Sequence, residues 1–199
     1  MDVGLRERKR LATRRAIQWA GLEIAKEDGL DRATVDAIAE RANISPRTFF
    51  NYFPTRDASL IGEIPGTPSR EELGLDASDS IIERLLEYII QAMSPSAPDR
   101  ELSRLRREVL RSYPVLFAQR MVQMQEIELT LAGLVAEHMI DSGEADGPEL
   151  RHKAHLTALM ATAAARSAWF RWAASEETPE EYTEDIRASF AMLGEIVSS

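Results

Sequence analysis

Apolar residues recur at spacings of three and four along nearly the whole chain, and the two-residue alternation of a half-buried strand is missing. That pattern predicts an all-α protein of about nine helices. The first runs over about residues 6–28 with Ile17, Ala20 and Ile24 along one side, and Gly29 is placed to stop it. Thr34 stands as the N-cap of a second helix whose Val35, Ile38, Ala39 and Ala42 face inward. In the "NIS" turn that follows, Asn43 can take the left-handed conformation at low cost. Ser45 then caps a third helix with Pro46 at its first position; Pro54 ends it, and Thr55 caps a short fourth.

The stretch "GEIPGTPSREELGLDAS" (62–78) is rich in turn formers and reads as a linker. Beyond it, Ser80 and Glu83 sit at capping-box spacing before two apolar rows, Ile81/Leu85/Ile89 and Ile82/Leu86/Ile90, wide enough to be buried on most sides. Further helices are expected up to Tyr113, over about 114–140 and 149–174, and from the Thr178/Glu181 capping box onward with Pro179 at the first position. The organisation expected is an N-terminal domain at 1–60 and a helical C-terminal domain at 61–199.

Charge alters this picture only when the chain is divided. The net charge of −9 argues against a nucleic-acid partner, yet residues 1–60 hold eleven Lys/Arg against nine Asp/Glu. Six of those eleven fall in the first fifteen residues, and the rest of the chain carries a net −11. Cysteine is absent, which excludes disulfides and thiolate metal sites. No apolar run approaches the ~18 residues of a membrane span, and the basic start "MDVGLRERKR" has no apolar segment behind it. A cytoplasmic protein without membrane association is the expectation.

Candidate chemistry concentrates in "SPRTFFNYF" (45–53). At 100° per residue, Phe49 and Phe53 fall together and can pack with Ile38 and Ile44. Arg47 and Asn51 then point away from them, flanked by Thr48 and Phe50. Arginine pairs bidentately with guanine, asparagine with adenine, and a threonine methyl can meet a thymine methyl. An amphipathic helix with one Arg and one Asn is common on protein surfaces; a helix, a tight turn and a second helix in this order form the helix-turn-helix that enters the major groove. Arg6, Arg8, Lys9 and Arg10 fit either a solvated helix start or a basic N-terminal arm on phosphates or the minor groove.

Residues 13–60 resemble the DNA-binding domain of the tetracycline-repressor (TetR) family. The likeness lies in the helix ending at Gly29–Leu30, Thr34–Val35, "IAERA" and the aromatic cluster before Pro54. It implies an all-helical homodimer whose C-terminal domain binds a small effector and so changes affinity for a palindromic operator on double-stranded DNA. By position it assigns Pro46, Arg47, Thr48 and Asn51 to bases, and Thr34, Ser45, Tyr52 and Arg56 to phosphates. Phe50 stands where the family often has a tyrosine. The spelling "RTFFNYF" is also similar to a TetR subgroup that includes mycofactocin-type regulators, for which acyl-CoA-like ligands are known.

In the C-terminal part, an effector pocket would draw on Tyr113, Phe117, Met121, Met124, Met160, Trp169 and Phe170, although such residues are also ordinary core. Arg166 is set either to hold an anionic group or to form an internal ion pair. The resemblance further implies a dimer built on the last two helices, which makes the stripe Tyr182, Ile186, Phe190, Leu193 and Val197 the candidate interface; the alternative is that it packs within its own subunit. Glu149, His152 and His155 lack a further ligand, so no metal is expected, and His138 reads as a surface residue. No nucleophile–base order or phosphate-cradling glycine loop stands out, so neither catalysis nor a cofactor is implied. The expected function is a sequence-specific, ligand-released transcriptional repressor. A ligand-independent regulator or activator, and a helical carrier or enzyme with a vestigial motif, are the rivals.

Overall fold

Local caps start the short helices of the N-terminal part. Thr34 Oγ1 accepts the Ala37 N–H at 3.2 Å, Ser45 Oγ that of Thr48 at 3.0 Å, and Thr55 Oγ1 that of Ala58 at 3.1 Å. The computed structural model describes residues 4–62, 68–74, 80–93, 100–172 and 179–198. Its helices are α1 (Leu5–Glu27), α2 (Val35–Arg41), α3 (Pro46–Phe50), α4 (Arg56–Ile61), α5 (Arg70–Leu73), α6 (Ile81–Met93), α7 (Arg100–Ser112), α8 (Pro114–Asp141), α9 (Pro148–Trp172) and α10 (Pro179–Ser198). One 3-10 turn, Leu30–Arg32, joins α1 to α2, and no strand occurs among the described residues. The all-α expectation holds, with ten α-helices among the described residues. The extra one is α5, inside the stretch read as linker: Ser69 and Glu72 form a capping box there, and Leu73 is buried.

Two compact units are present. The first comprises Met1–Glu63 together with Glu101–Met121, and the second Ile64–Arg100 with Val122–Ser199. Residues 101–121, placed by sequence in the C-terminal domain, thus join the N-terminal unit. Leu102, Leu105, Val109, Leu110 and Leu116 share one buried cluster with Ile17, Leu22, Ile24, Ile38, Phe49, Phe53 and Leu60. The Tyr113 hydroxyl donates to the Ala25 carbonyl at 2.8 Å and accepts the Leu30 N–H at 3.2 Å, tying the end of α1 to the loop beyond it.

The C-terminus of α4 is held by two cations. Arg106 Nε donates to the Leu60 carbonyl at 3.2 Å and Arg120 Nη1 to that of Ile61 at 2.7 Å, where the helix leaves carbonyls without intrahelical partners. Burial lowers the pKa of the Arg120 guanidinium. Gly62 follows at φ 79° and ψ 171°, a conformation almost confined to glycine, and a Cβ there would lie 2.6 Å from Cζ of Arg106. Gly62→Ala should therefore lower stability by at least ~1–3 kcal/mol. Gly133, in the middle of α8 with open space around it, should gain up to about 1 kcal/mol from the same change. Thermal melting of both variants checks the pair, and equal shifts would contradict this packing of α4.

The second unit is organised by α9 against α10. Ala154, Ala158, Ala161, Ala164 and Ala168 are buried with Leu150 and Trp172, so the backbones approach closely. Tyr182, Ile186 and Phe190 fill the facing side, and Leu85 and Ile89 of α6 and Leu131, Val135 and Met139 of α8 complete the core. The rings of Trp172 and Tyr182 lie 5.1 Å apart, and Arg171 pairs with the buried Asp185. The Tyr182 phenol is pushed well above its ordinary pKa, by burial first and by the Asp185 charge second.

Three readings are corrected here. Of the two α6 rows only Leu85 and Ile89 are buried, while Ile81, Leu86 and Ile90 are half-buried and Ile82 is exposed. His138 is buried at 4% exposure, because it shares the inward face of α8 with Leu131 and Val135, seven and three residues before it. The α10 stripe is not a free interface: Tyr182, Ile186 and Phe190 belong to their own unit's core, Leu193 is half-buried, and the Val197 side chain lies outside the described residues.

Candidate nucleic-acid interface

The turn between α2 and α3 is made by Asn43 at φ 53°, and the Ile44 N–H returns to the Ala39 carbonyl at 2.9 Å. α3 is shorter than its sequence suggests. It ends at Phe50, but the Asn51 N–H still reaches Thr48 O at 3.1 Å and the Phe53 N–H reaches Phe49 O at 3.0 Å. The winding thus carries Asn51 and Phe53 to the positions the helical wheel gives them. Phe49 and Phe53 are 0% and 2% exposed with ring centroids 6.0 Å apart, packed in the cluster that holds Ile38, with Ile44 against it. Arg14 of α1 stacks over Phe53 with its guanidinium carbon 4.5 Å from the ring centroid.

On the opposite side Pro46, Arg47 and Asn51 are exposed. Thr48 is half-buried, and its hydroxyl is hydrogen-bonded to Ser45 Oγ at 2.8 Å. One face of the α3 segment is an aromatic anchor, and the other presents a guanidinium and a carboxamide. Those two groups suit the edges of guanine and adenine.

The residues expected on phosphates divide. Thr34 and Ser45 are exposed N-caps whose oxygens accept backbone N–H groups. Tyr52 is half-buried with its ring against the core. Arg56, expected to reach a phosphate, is instead engaged internally. Its Nε donates to Asp57 Oδ1 at 2.7 Å and its Nη1 to the Leu30 carbonyl at 3.2 Å. The sequence showed Asp57 beside it but not the carbonyl, which tertiary folding supplies.

Arg6, Arg8, Lys9 and Arg10 are exposed on the first turns of α1, so they form a helix start rather than an extended arm. Arg10 is paired with Glu7, which holds the glutamate's pKa below its ordinary value. The N-cap end of α2 opens on a cleft of about 840 Å³ that Arg32 and Arg41 line together with Thr34. Arg32 escaped the sequence reading because nothing local marks it; Asp28, Asp31 and Glu40 in the same cleft offset its charge.

The residues expected to line an effector pocket fall in both units. Tyr113 is the tie described above, and Phe117, also in the first unit, is 45% exposed. Met121 of that unit is half-buried, as are Met124, Met160, Arg166 and Trp169 of the second; Phe170 is 40% exposed and edge-on to Trp169. A cleft of about 120 Å³ takes in Tyr113 with Lys26, Glu108 and Ser112, well below the ~300–1,000 Å³ of a small-molecule site. No group of three or more His, Asp or Glu among the described residues is disposed to hold a metal, and no described helix is long and apolar enough to cross a membrane.

An anchored recognition helix on a capped helix and tight turn defines a helix-turn-helix DNA-binding protein. Residues 19–60 match the family model "Bacterial regulatory proteins, tetR family", and residues 79–198 match the "MftR C-terminal domain". The chain belongs to the TetR family of transcriptional regulators.

The HTH-type transcriptional regulator TcmR of Streptomyces glaucescens is 33% identical over 153 residues, covering 72% of this chain and 60% of that protein, so the chain spans less than two thirds of this relative. The crystal structure of the Thermus thermophilus TetR-family repressor FadR, in complex with lauroyl-CoA, is 23% identical over 90% of this chain and 92% of its own, with a TM-score of 0.45. A transcriptional regulator from Rhodococcus sp. Rha1 is 19% identical over 90% of this chain and 95% of its own, with a TM-score of 0.43.

Proposed function

We propose that this protein is a cytoplasmic, non-enzymatic homodimeric repressor that binds a palindromic operator and is released by a small effector. The observation that carries the reading is the opposition of faces on α3, with Phe49 and Phe53 buried behind an exposed Arg47 and Asn51. Two-fold symmetry would set two such helices one DNA turn apart, ~34–36 Å. Pro46 and Thr48 would complete the base contacts, and Thr34, Ser45 and Tyr52 would meet phosphates, with Arg56 joining them on leaving Asp57.

A second copy would cover the large apolar side chains that α9 and α10 leave exposed. Leu156 and Phe170 on α9 are 45% and 40% exposed, and Met192 and Ile196 on α10 are 54% and 64% exposed. A charge at that face should separate the copies. Met192→Glu is expected to sediment as a monomer and to bind operator at least tenfold more weakly, and a dimeric variant would overturn this face.

The effector is proposed to be an acyl-CoA-type thioester, as the resemblance of "RTFFNYF" to mycofactocin-type regulators implies, and residues 79–198 match the MftR C-terminal domain. A ligand can act here only through unequal affinity for the DNA-competent and DNA-incompetent states. Thermal-shift screening of acyl-CoA thioesters, followed by operator release with any stabilising compound, tests this. A panel in which no compound stabilises the protein would leave a ligand-independent regulator.

A further inference from the structure

Phe50 is the last residue of α3 and has no assigned role, yet it is 56% exposed. Its ring stands edge-on to the buried Phe49, with centroids 5.5 Å apart and planes at 85°, so the anchor beneath restricts where it points. About 100° per residue places it roughly 60° around the helix from Arg47, on the flank opposite Thr48.

We propose that Phe50 is a specificity-determining residue that recognises thymine through its C5-methyl group in the major groove. The inference rests on the reading above, in which α3 enters that groove. A phenyl ring offers no donor or acceptor, so it cannot hydrogen-bond a phosphate or a base edge as a tyrosine would. The thymine methyl is the apolar group that the major groove presents. Thr48, whose methyl could serve the same purpose, lies on the other flank with its hydroxyl tied to Ser45 at 2.8 Å. The flank beside Arg47 is left to Phe50. Covering its ring with a methyl removes apolar surface from water on both partners.

The test uses the full chain as wild type, Phe50→Ala and Phe50→Tyr, on the duplex that wild type selects from random sequence. Each thymine is replaced in turn by deoxyuridine, which removes only the methyl. Wild type should lose about fourfold in affinity at one thymine per half-site, the effect of one buried methyl. Phe50→Tyr should keep that sensitivity. Phe50→Ala should bind more weakly, melt within a degree or two of wild type because the ring is exposed, and be indifferent to the replacement. If no thymine methyl matters to wild type, or if Phe50→Ala remains as sensitive as wild type, the proposal is overturned. If wild type enriches no duplex at all, the DNA-reading assignment of α3 falls with it.

Discussion

Phe49→Ala is expected to lower the stability of the first unit by about 3–5 kcal/mol and to abolish operator binding, although position 49 touches no DNA in this account. Domains hold only ~5–15 kcal/mol in total, so the loss approaches the whole stability of a small one. The side chain is 0% exposed and meets Phe53 and Phe50, so alanine leaves a cavity beneath a helix of five residues. So short a helix has little stability of its own and depends on its packed face. Phe49→Leu, which keeps most of the volume, should retain folding and measurable binding. The adjacent Phe50→Ala should change melting little, and this contrast between neighbouring rings separates anchor from reader. Thermal unfolding followed by circular dichroism supplies the numbers. An unchanged melting temperature for Phe49→Ala would mean that α3 is held by something else.

The second large effect concerns salt. With ~6–10 phosphate contacts per dimer, operator affinity should fall about 10³–10⁵-fold between 50 and 200 mM salt, because releasing condensed counterions into more concentrated salt gains less entropy. The total charge of −9 gives no hint of this; the eleven Lys/Arg of residues 1–60 do. The internal pairing of Arg56 sharpens the expectation. Removing its Asp57 partner by Asp57→Asn should free the cation and steepen the slope of log affinity against log salt by up to about two per dimer. A flat dependence in wild type would contradict phosphate contacts altogether. An unchanged slope in Asp57→Asn would show that Arg56 does not reach the backbone even when released.

What could be read in the sequence and what could not follows a physical division. The helix-turn-helix was legible because its determinants are local: Thr34 and Ser45 cap within three residues, Asn43 makes the turn, and Phe49 and Phe53 lie one helical turn apart. Three residues of the α10 stripe, Tyr182, Ile186 and Phe190, were legible as buried but were assigned to a second chain rather than to their own unit's core. Periodicity says that Tyr182, Ile186 and Phe190 need a partner, and it cannot say whether that partner is a second chain or the alanines of α9. His138 was misplaced because a histidine's own chemistry says nothing of the helix face it occupies. The adhesion of residues 101–121 to the first unit was invisible for a related reason. Tyr113 is tied to Ala25, 88 positions away, and Arg106 to Leu60, 46 positions away, and neither bond has a signature in its own neighbourhood. A candidate effector pocket was the least legible part, since the methionines and aromatics that would line one are also the residues that fill a core.

The central claim is that the outer face of α3 reads bases. Selection from random duplexes with wild type and with Arg47→Ala tests it most directly. The account predicts a palindromic sequence for wild type, and for Arg47→Ala a loss of ~1–3 kcal/mol with preference relaxed at one position in each half-site and retained elsewhere. A variant that weakens on every sequence equally, with its preferences intact, would make Arg47 a backbone contact and contradict the claim.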